Sequence, residues 1–365
     1  MPPLRIGMLI DSLAEGGAER VAVEVACHLD PTRFEPHFVV TRSGGPLELP
    51  LQIAGIRTTI LGREGGGPPV RMLARALRLL RDADLIHAHM FGSSVWGALL
   101  SRLGGVPLVT SDAAWSGQRT RVRTWGYRHW IGTRALAIVC PSAPVASSIV
   151  AEGVPAQRLR VIENGVPRDA ALPSADARSE LGLNQRSWVI GIVANLRAEK
   201  AHQVLLHAFS HMAADRPSAT LCVVGDGERR DELRALARHL GIDERVVWAG
   251  HRQDARRLAS AFDTAVICSE WEGLPLAALE VLAAGVPLVA SRVGVLPEVV
   301  GGGAGVLFDS GDDAQLAREL AALMDDPGRA RTLGERGRRR VGERYPFERM
   351  VKEFEDVYDN VLVGP

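Results

Sequence analysis

Short apolar runs alternate with amphipathic stretches from one end of the chain to the other. Runs over 6–10, 38–41, 85–88, 108–111 and 137–140 read as strands, and the spacing predicts helices between them, for instance over 18–29 and 70–81. Segment 167–174, rich in Pro and Ala, reads as a linker. The alternation then restarts. Strands are predicted over 189–194, 219–224, 246–249, 265–268 and 288–291, with helices such as 202–214 and 228–240. Strands that alternate with helices imply parallel sheets. Two such series predict an α/β protein of two doubly wound, Rossmann-like domains facing across a cleft, divided at 170/171. Ligands of such sheets bind beyond the carboxyl ends of the strands. Gly65 to Pro69 reads as a loop tip, and there is no internal repeat or long low-complexity tract.

Composition narrows this picture. The 365 residues and 46% hydrophobic content suffice for two cores. Net charge is zero, but residues 1–170 hold 19 Arg and no Lys against 14 acids, a balance of +5, and the remainder carries −5. A mildly basic first half is compatible with an anionic acceptor or a membrane surface. Neutrality and the lack of a recognised module argue against nucleic acid as a partner. Only Lys200 and Lys352 are lysines beside the many arginines. A compact ammonium is a point-charge phosphate binder, which draws attention to Lys200; Lys352, in a charged helix, reads as solvated. Cys27, Cys140, Cys222 and Cys268 sit apart in apolar runs and read as buried thiols of a reducing compartment. No apolar run reaches the roughly 18–20 residues needed to span a bilayer, and the N-terminus does not read as a signal peptide. The expectation is a cytoplasmic protein, with peripheral contact at the inner face of the membrane left open.

The most informative stretch is 269–298, SEWEGLPLAALEVLAAGVPLVASRVGVLPE. Glu272 and Glu280 flank a glycine-proline turn. A helix is predicted from Pro275, which suits a first helical turn because its missing N–H costs nothing there. Gly285 and Pro287 end that helix. Glu272 then sits before the helix and Glu280 about a turn and a half inside it. Between them lie the unsatisfied amides of a helix start, a ready site for an anion. A carboxylate on either side can accept from sugar and ribose hydroxyls. Glu280 lies amid apolar residues, where an unpaired carboxylate would be costly and a polar ligand would remove the penalty.

Other segments add to it. Asn195-Leu196-Arg197-Ala198-Glu199-Lys200, Val224-Gly225-Asp226-Gly227 and His87-Ala88-His89 fall at predicted strand ends, and Glu163-Asn164-Gly165 lies shortly before the linker. Gly16-Gly17 follows the first strand and opens a helix, where it can approach a phosphate or an acceptor closely; a plain tight turn is the alternative. There is no G-x-G-x-x-G fingerprint, which disfavours a dehydrogenase. Asp82 and Asp84 superficially match an Asp-x-Asp metal motif, but merely precede a strand.

Together these segments resemble glycosyltransferase family 4, the retaining sugar transferases of GT-B fold. They occur in the family's order and cover most of the chain. The resemblance implies transfer of a hexose-type unit from a nucleoside diphosphate sugar, of UDP or GDP, to an acceptor hydroxyl in glycan or glycolipid assembly. It implies that Glu272 contacts the transferred sugar, Glu280 the ribose, Lys200 the diphosphate, and that His89 lies close to the sugar. The catalytic set is thus His89, Glu272 and Lys200. His87 has the same strand parity as His89, and pattern alone does not separate them. The family's diphosphate-binding arginine falls on Asn195, a departure that Arg197 could compensate. Pro275 stands where many relatives have a glycine and cannot donate, so the backbone of Gly273, Leu274 and Leu276 would contact phosphate. No metal or cofactor is expected, since Lys200 and helix N-termini can neutralise the leaving group. The last helix, about 347–365, should return to the first domain, which the resemblance makes the acceptor side. A GT-B-like epimerase or phosphorylase, and a non-catalytic sugar-nucleotide sensor, remain alternatives. The acceptor stays open among glycan, lipid-linked and small-molecule classes.

Residues 118–130, QRTRVRTWGYRHW, alternate arginine with Trp125, Tyr127 and Trp130. Two readings stand: contact with an anionic membrane, or a helix packed on the sheet with its arginines reaching outward.

Overall fold

The structure is a computed structural model and describes residues 2–62, 69–113, 120–167 and 171–363. The loop tip at 65–68, Gln118, Arg119 and residues 168–170 of the linker signal lie outside the described residues. The chain forms two compact units, one of Met1–Asn164 with Glu348–Pro365, the other of Gly165–Phe347.

The first unit is built on seven parallel strands. They are β1 (Leu4–Ser12), β2 (Phe34–Ser43), β3 (Arg57–Ile60), β4 (Leu85–His89), β5 (Leu108–Ser111), β6 (Ala137–Cys140) and β7 (Leu159–Val161). Their order is β3-β2-β1-β4-β5-β6-β7, so the winding reverses between β1 and β4. Leu9, Ile86, Leu108 and Ile138 of the strands pack against Leu100 and Ile149 of the covering helices. The C-terminal helix Phe347–Val363 belongs here from Glu348 onward. Its Glu355 accepts from the Asp30 amide and the Arg33 guanidinium, each at 2.9 Å, and Arg349 donates to the Glu163 carbonyl at 3.1 Å.

The second unit holds six parallel strands: β8 (Trp188–Val193), β9 (Ala219–Val224), β10 (Val246–Gly250), β11 (Thr264–Ile267), β12 (Leu288–Ser291) and β13 (Gly305–Phe308). The order β10-β9-β8-β11-β12-β13 reverses between β8 and β11. Apolar residues on both faces of these strands, among them Ile190, Leu221, Val266 and Val289, bury the sheet beneath helices on either side.

The chain passes between units at 164/165, six residues before the expected division. Val166 is already tied to the second unit, its amide donating to the Tyr345 carbonyl at 3.1 Å. Leu172, inside the expected linker, is hydrogen-bonded to Arg257 and Ser260. Three strands escaped the sequence pattern: β3, β7 and β13. All three lie at sheet edges and need no run of apolar residues on both faces. Pro275 is the N-cap of the helix Leu276–Ala283, not its first turn; with φ −72° and ψ 125° its backbone is still extended. That helix ends as foreseen, at Gly285 with φ +80°. The Gly285 amide bonds to Leu282 O and the Val286 amide to Val281 O, the paired bonds of a Schellman cap.

Candidate active site

In the second unit the loops leaving β8 and β11 flank the point where the strand order reverses, the place at which open α/β sheets hold ligands. The two loops are tied together. Lys200 Nζ donates to Glu272 Oε1 at 2.7 Å, and Ser269 Oγ donates to the same oxygen at 2.7 Å. Ser291 Oγ, at the end of β12, holds the Ser269 carbonyl at 2.7 Å. The Glu270 amide bonds to Glu199 O at 2.9 Å, and the Cys268 thiol to Lys200 O at 3.2 Å. Burial pushes that thiol up to about 12, so it stays protonated.

Glycines set the approach of these loops. Gly225, with φ +143°, lies so close to Ala194 that a Cβ would stand 2.0 Å from its carbonyl oxygen; at Gly227 the corresponding distance to Leu196 O is 2.7 Å. Leu196 in turn bonds to Asp226 O and accepts from the Arg229 amide. The Val224–Gly227 segment therefore shapes the Lys200 loop from behind. Gly294 (φ +51°) does the same for Glu272, where a Cβ would meet the Glu272 carbonyl at 2.0 Å.

Glu272 is 6% exposed and Glu280 5%. Leu274 and Leu276 are also buried. Glu280 has an interaction within the protein, so its burial alone does not demand a ligand. The amides of Leu276 and Ala277 fall in the first helical turn, where a helix offers them no internal acceptor. Asn195 is half-buried at the end of β8 and Arg197 is exposed beside it.

The first unit places His89 at the carboxyl end of β4, against the reversal point with β1. It is 4% exposed, its Nε2 has no partner among the described residues, and burial holds its pKa down at about 3. His87 lies on the same side, its ring 4.0 Å from that of His89. Here the two part. His87 Nδ1 pairs with Tyr358 Oη at 2.8 Å and Nε2 with Ser111 Oγ at 2.7 Å. His87 is a satisfied core residue; His89 is not satisfied. Met90, directly after His89, takes φ +67°, a costly conformation for an unbranched side chain. Asp11 Oδ1 at the end of β1 accepts from Thr41 Oγ1 and Ser93 Oγ, a cluster that sequence reading missed because its parts come from three elements. Gly16 caps the helix Gly17–His28, and a Cβ at Gly17 would meet open space.

Residues 120–130 divide between the two readings. Arg123 turns inward to Asp112 and Glu152, at 3.0 and 3.2 Å, and Tyr127 is fully buried. Trp125 is 55% exposed and Val122 is exposed beside it. Asp84 of the Asp-x-Asp pair accepts the Arg5 amide at 2.8 Å. No helix of the described residues is long and apolar enough to cross a membrane.

Two doubly wound parallel sheets in successive parts of the chain are the GT-B architecture. The chain belongs to glycosyltransferase family 4: the Glycosyltransferase Family 4 profile matches residues 15–170, and the Glycosyl transferases group 1 profile matches 174–340. It is 30% identical over 316 residues to a D-inositol 3-phosphate glycosyltransferase of Corynebacterium jeikeium, covering 79% of this chain and 72% of that protein. It is 32% identical over 186 residues to the N-acetyl-alpha-D-glucosaminyl L-malate synthase of Bacillus anthracis, covering 51% of this chain and about half, 49%, of that one. The crystal structure of Anabaena HepE in complex with UDP-glucose shares the fold, with a TM-score of 0.89 at 22% identity, over 98% of this chain and 100% of that one.

Proposed function

We propose that this chain transfers a hexose-type sugar from a nucleoside diphosphate sugar to an acceptor hydroxyl with retention of anomeric configuration. The observation that carries the proposal is the Lys200–Glu272 pair, drawn together at the strand-order reversal beside an uncapped helix start. An ammonium has three donors and can keep Glu272 while binding a phosphate oxygen. Both bonds to Glu272 fall on Oε1, which leaves Oε2 for a sugar hydroxyl. The first-turn amides at Leu276 and Ala277 supply the positive end of a helix dipole. Charge that develops on the departing diphosphate thus meets donors already in place. Glu280, a turn further on, takes the ribose hydroxyls. Arg197 and Asn195 border the phosphate side, and the backbone of Gly273 and Leu274 completes it.

The second unit is then the donor-binding half, and the first unit, with Gly16, Gly17 and His89, serves the acceptor and the transfer. Exposed Val122 and Trp125 beside exposed Arg121 and Arg128 suit an acceptor presented at an anionic membrane. Vesicle co-sedimentation of a Trp125→Ala variant checks that point.

A thermal-shift screen of UDP- and GDP-sugars tests the donor. A ligand at 100 times its dissociation constant adds about 2.7 kcal/mol. Stabilisation by one nucleotide sugar, followed by release of its nucleoside diphosphate only with an acceptor, supports transfer. Conversion of the donor without acceptor would make the chain an epimerase, and binding without turnover a sensor.

A further inference from the structure

The pairings above account for Lys200, Ser269 and Glu272, but not for the side chain two residues after Lys200. His202 opens the helix His202–Ala213 and is 2% exposed. Neither Nδ1 nor Nε2 has a hydrogen-bond partner among the described residues. The residues that follow it inward, Val204, Leu205 and Leu206, are ordinary apolar core, so an apolar side chain would suit the interior better than an imidazole. A buried polar group without a partner costs folding free energy, and a ligand that supplies the missing bond removes that cost.

The position of the ring points to that ligand: it lies two residues after Lys200, at the start of a helix. Burial, with the charges of Lys200 and Arg229 adding to it, holds the imidazole neutral, its pKa down at about 4. A neutral imidazole keeps one N–H donor. Arg229 is engaged by Glu232 at its Nε and by Gln203, the neighbour of His202, at 2.8 Å. A donor N–H in the first turn of a helix, beside Lys200 in sequence and next to the residue that Arg229 binds, suits an anion with several acceptor oxygens.

We propose that His202 is a further ligand of the donor diphosphate, its ring N–H donating to a phosphate oxygen held at Lys200. The inference rests on the donor site placed at Lys200. It assigns phosphate recognition to a residue outside the paired carboxylates, and explains why the core retains an unsatisfied imidazole.

Calorimetric titration with UDP and GDP tests it in four proteins: wild type, Lys200→Ala, His202→Leu and His202→Gln. His202→Leu should bind the nucleoside diphosphate at least about tenfold more weakly, while its ligand-free melting temperature is unchanged or higher. His202→Gln, which keeps an N–H donor, should recover most of the affinity. Uridine and guanosine, which lack phosphate, should bind the variants as they bind wild type. Wild-type affinity for UDP and GDP in His202→Leu overturns this inference alone. Wild-type affinity in Lys200→Ala, or no nucleotide binding by wild type, removes the donor site and this inference with it.

Discussion

Lys200 and Glu272 stand 72 positions apart in sequence and 2.7 Å apart in space. The parallel pairing of β8 with β11 brings their loops together, and Ser269 and Gly294 hold the carboxylate where the ammonium finds it.

Replacing either partner by alanine should lower turnover by about 10²-fold or more, the scale of losing one preorganised electrostatic contact. Steady-state kinetics with the donor found in the screen reads the effect. Near-wild-type rates in both Lys200→Ala and Glu272→Ala would withdraw the assignment.

Gly225→Ala should cost stability as well as activity. Its φ of +143° and the 2.0 Å approach to Ala194 O leave no room for a methyl group, and strain of that kind costs about 1–3 kcal/mol. Gly17→Ala is the contrasting variant: with open space around it, its melting temperature should match wild type. Lost activity in a fully stable Gly17→Ala would then mark close backbone approach to a ligand.

The two histidines of β4 should separate cleanly. His87→Leu strands Tyr358 Oη and Ser111 Oγ, and an orphaned buried group costs about 1–3 kcal/mol; denaturant unfolding will show it. His89→Ala removes a ring whose Nε2 has no partner among the described residues, so it should reduce turnover more than stability. The reverse pattern would exchange their roles.

What the sequence made legible follows from where each signal resides. Strands buried on both faces announce themselves, whereas the edge strands β3, β7 and β13 do not. Glu272, Glu280 and Lys200 lie in local motifs with a fixed order along the chain. Ser269, Ser291, Asp11 and His202 acquire their roles only from sheet register and burial, which no short window contains. His87 could not be told from His89 because the deciding partner, Tyr358, is 271 residues away. In 118–130 the alternation of arginine and aromatic residues hid opposite fates: Arg123 turns towards buried Asp112, while Trp125 faces solvent.

Acid should destabilise the protein earlier than carboxylate titration alone would. An unfolded histidine titrates near 6.5, but burial holds His89 at about 3 and His202 at about 4 in the folded chain. Between these values only the unfolded chain takes up the proton. The stability of neutral burial is therefore complete above about pH 6.5 and lost as pH falls, by ~1.4 kcal/mol per unit for each histidine. Melting temperature should be flat from about pH 7 to 8 and decline below about 6. His202→Leu should flatten that decline, and an unchanged slope would contradict the burial argument.

The most direct test is a crystal of the protein soaked with UDP or GDP. Pyrophosphate is expected on Lys200 Nζ and the Leu276 and Ala277 amides, with ribose hydroxyls on Glu280. A nucleotide bound elsewhere, or none in that crevice at saturating concentration, would contradict it.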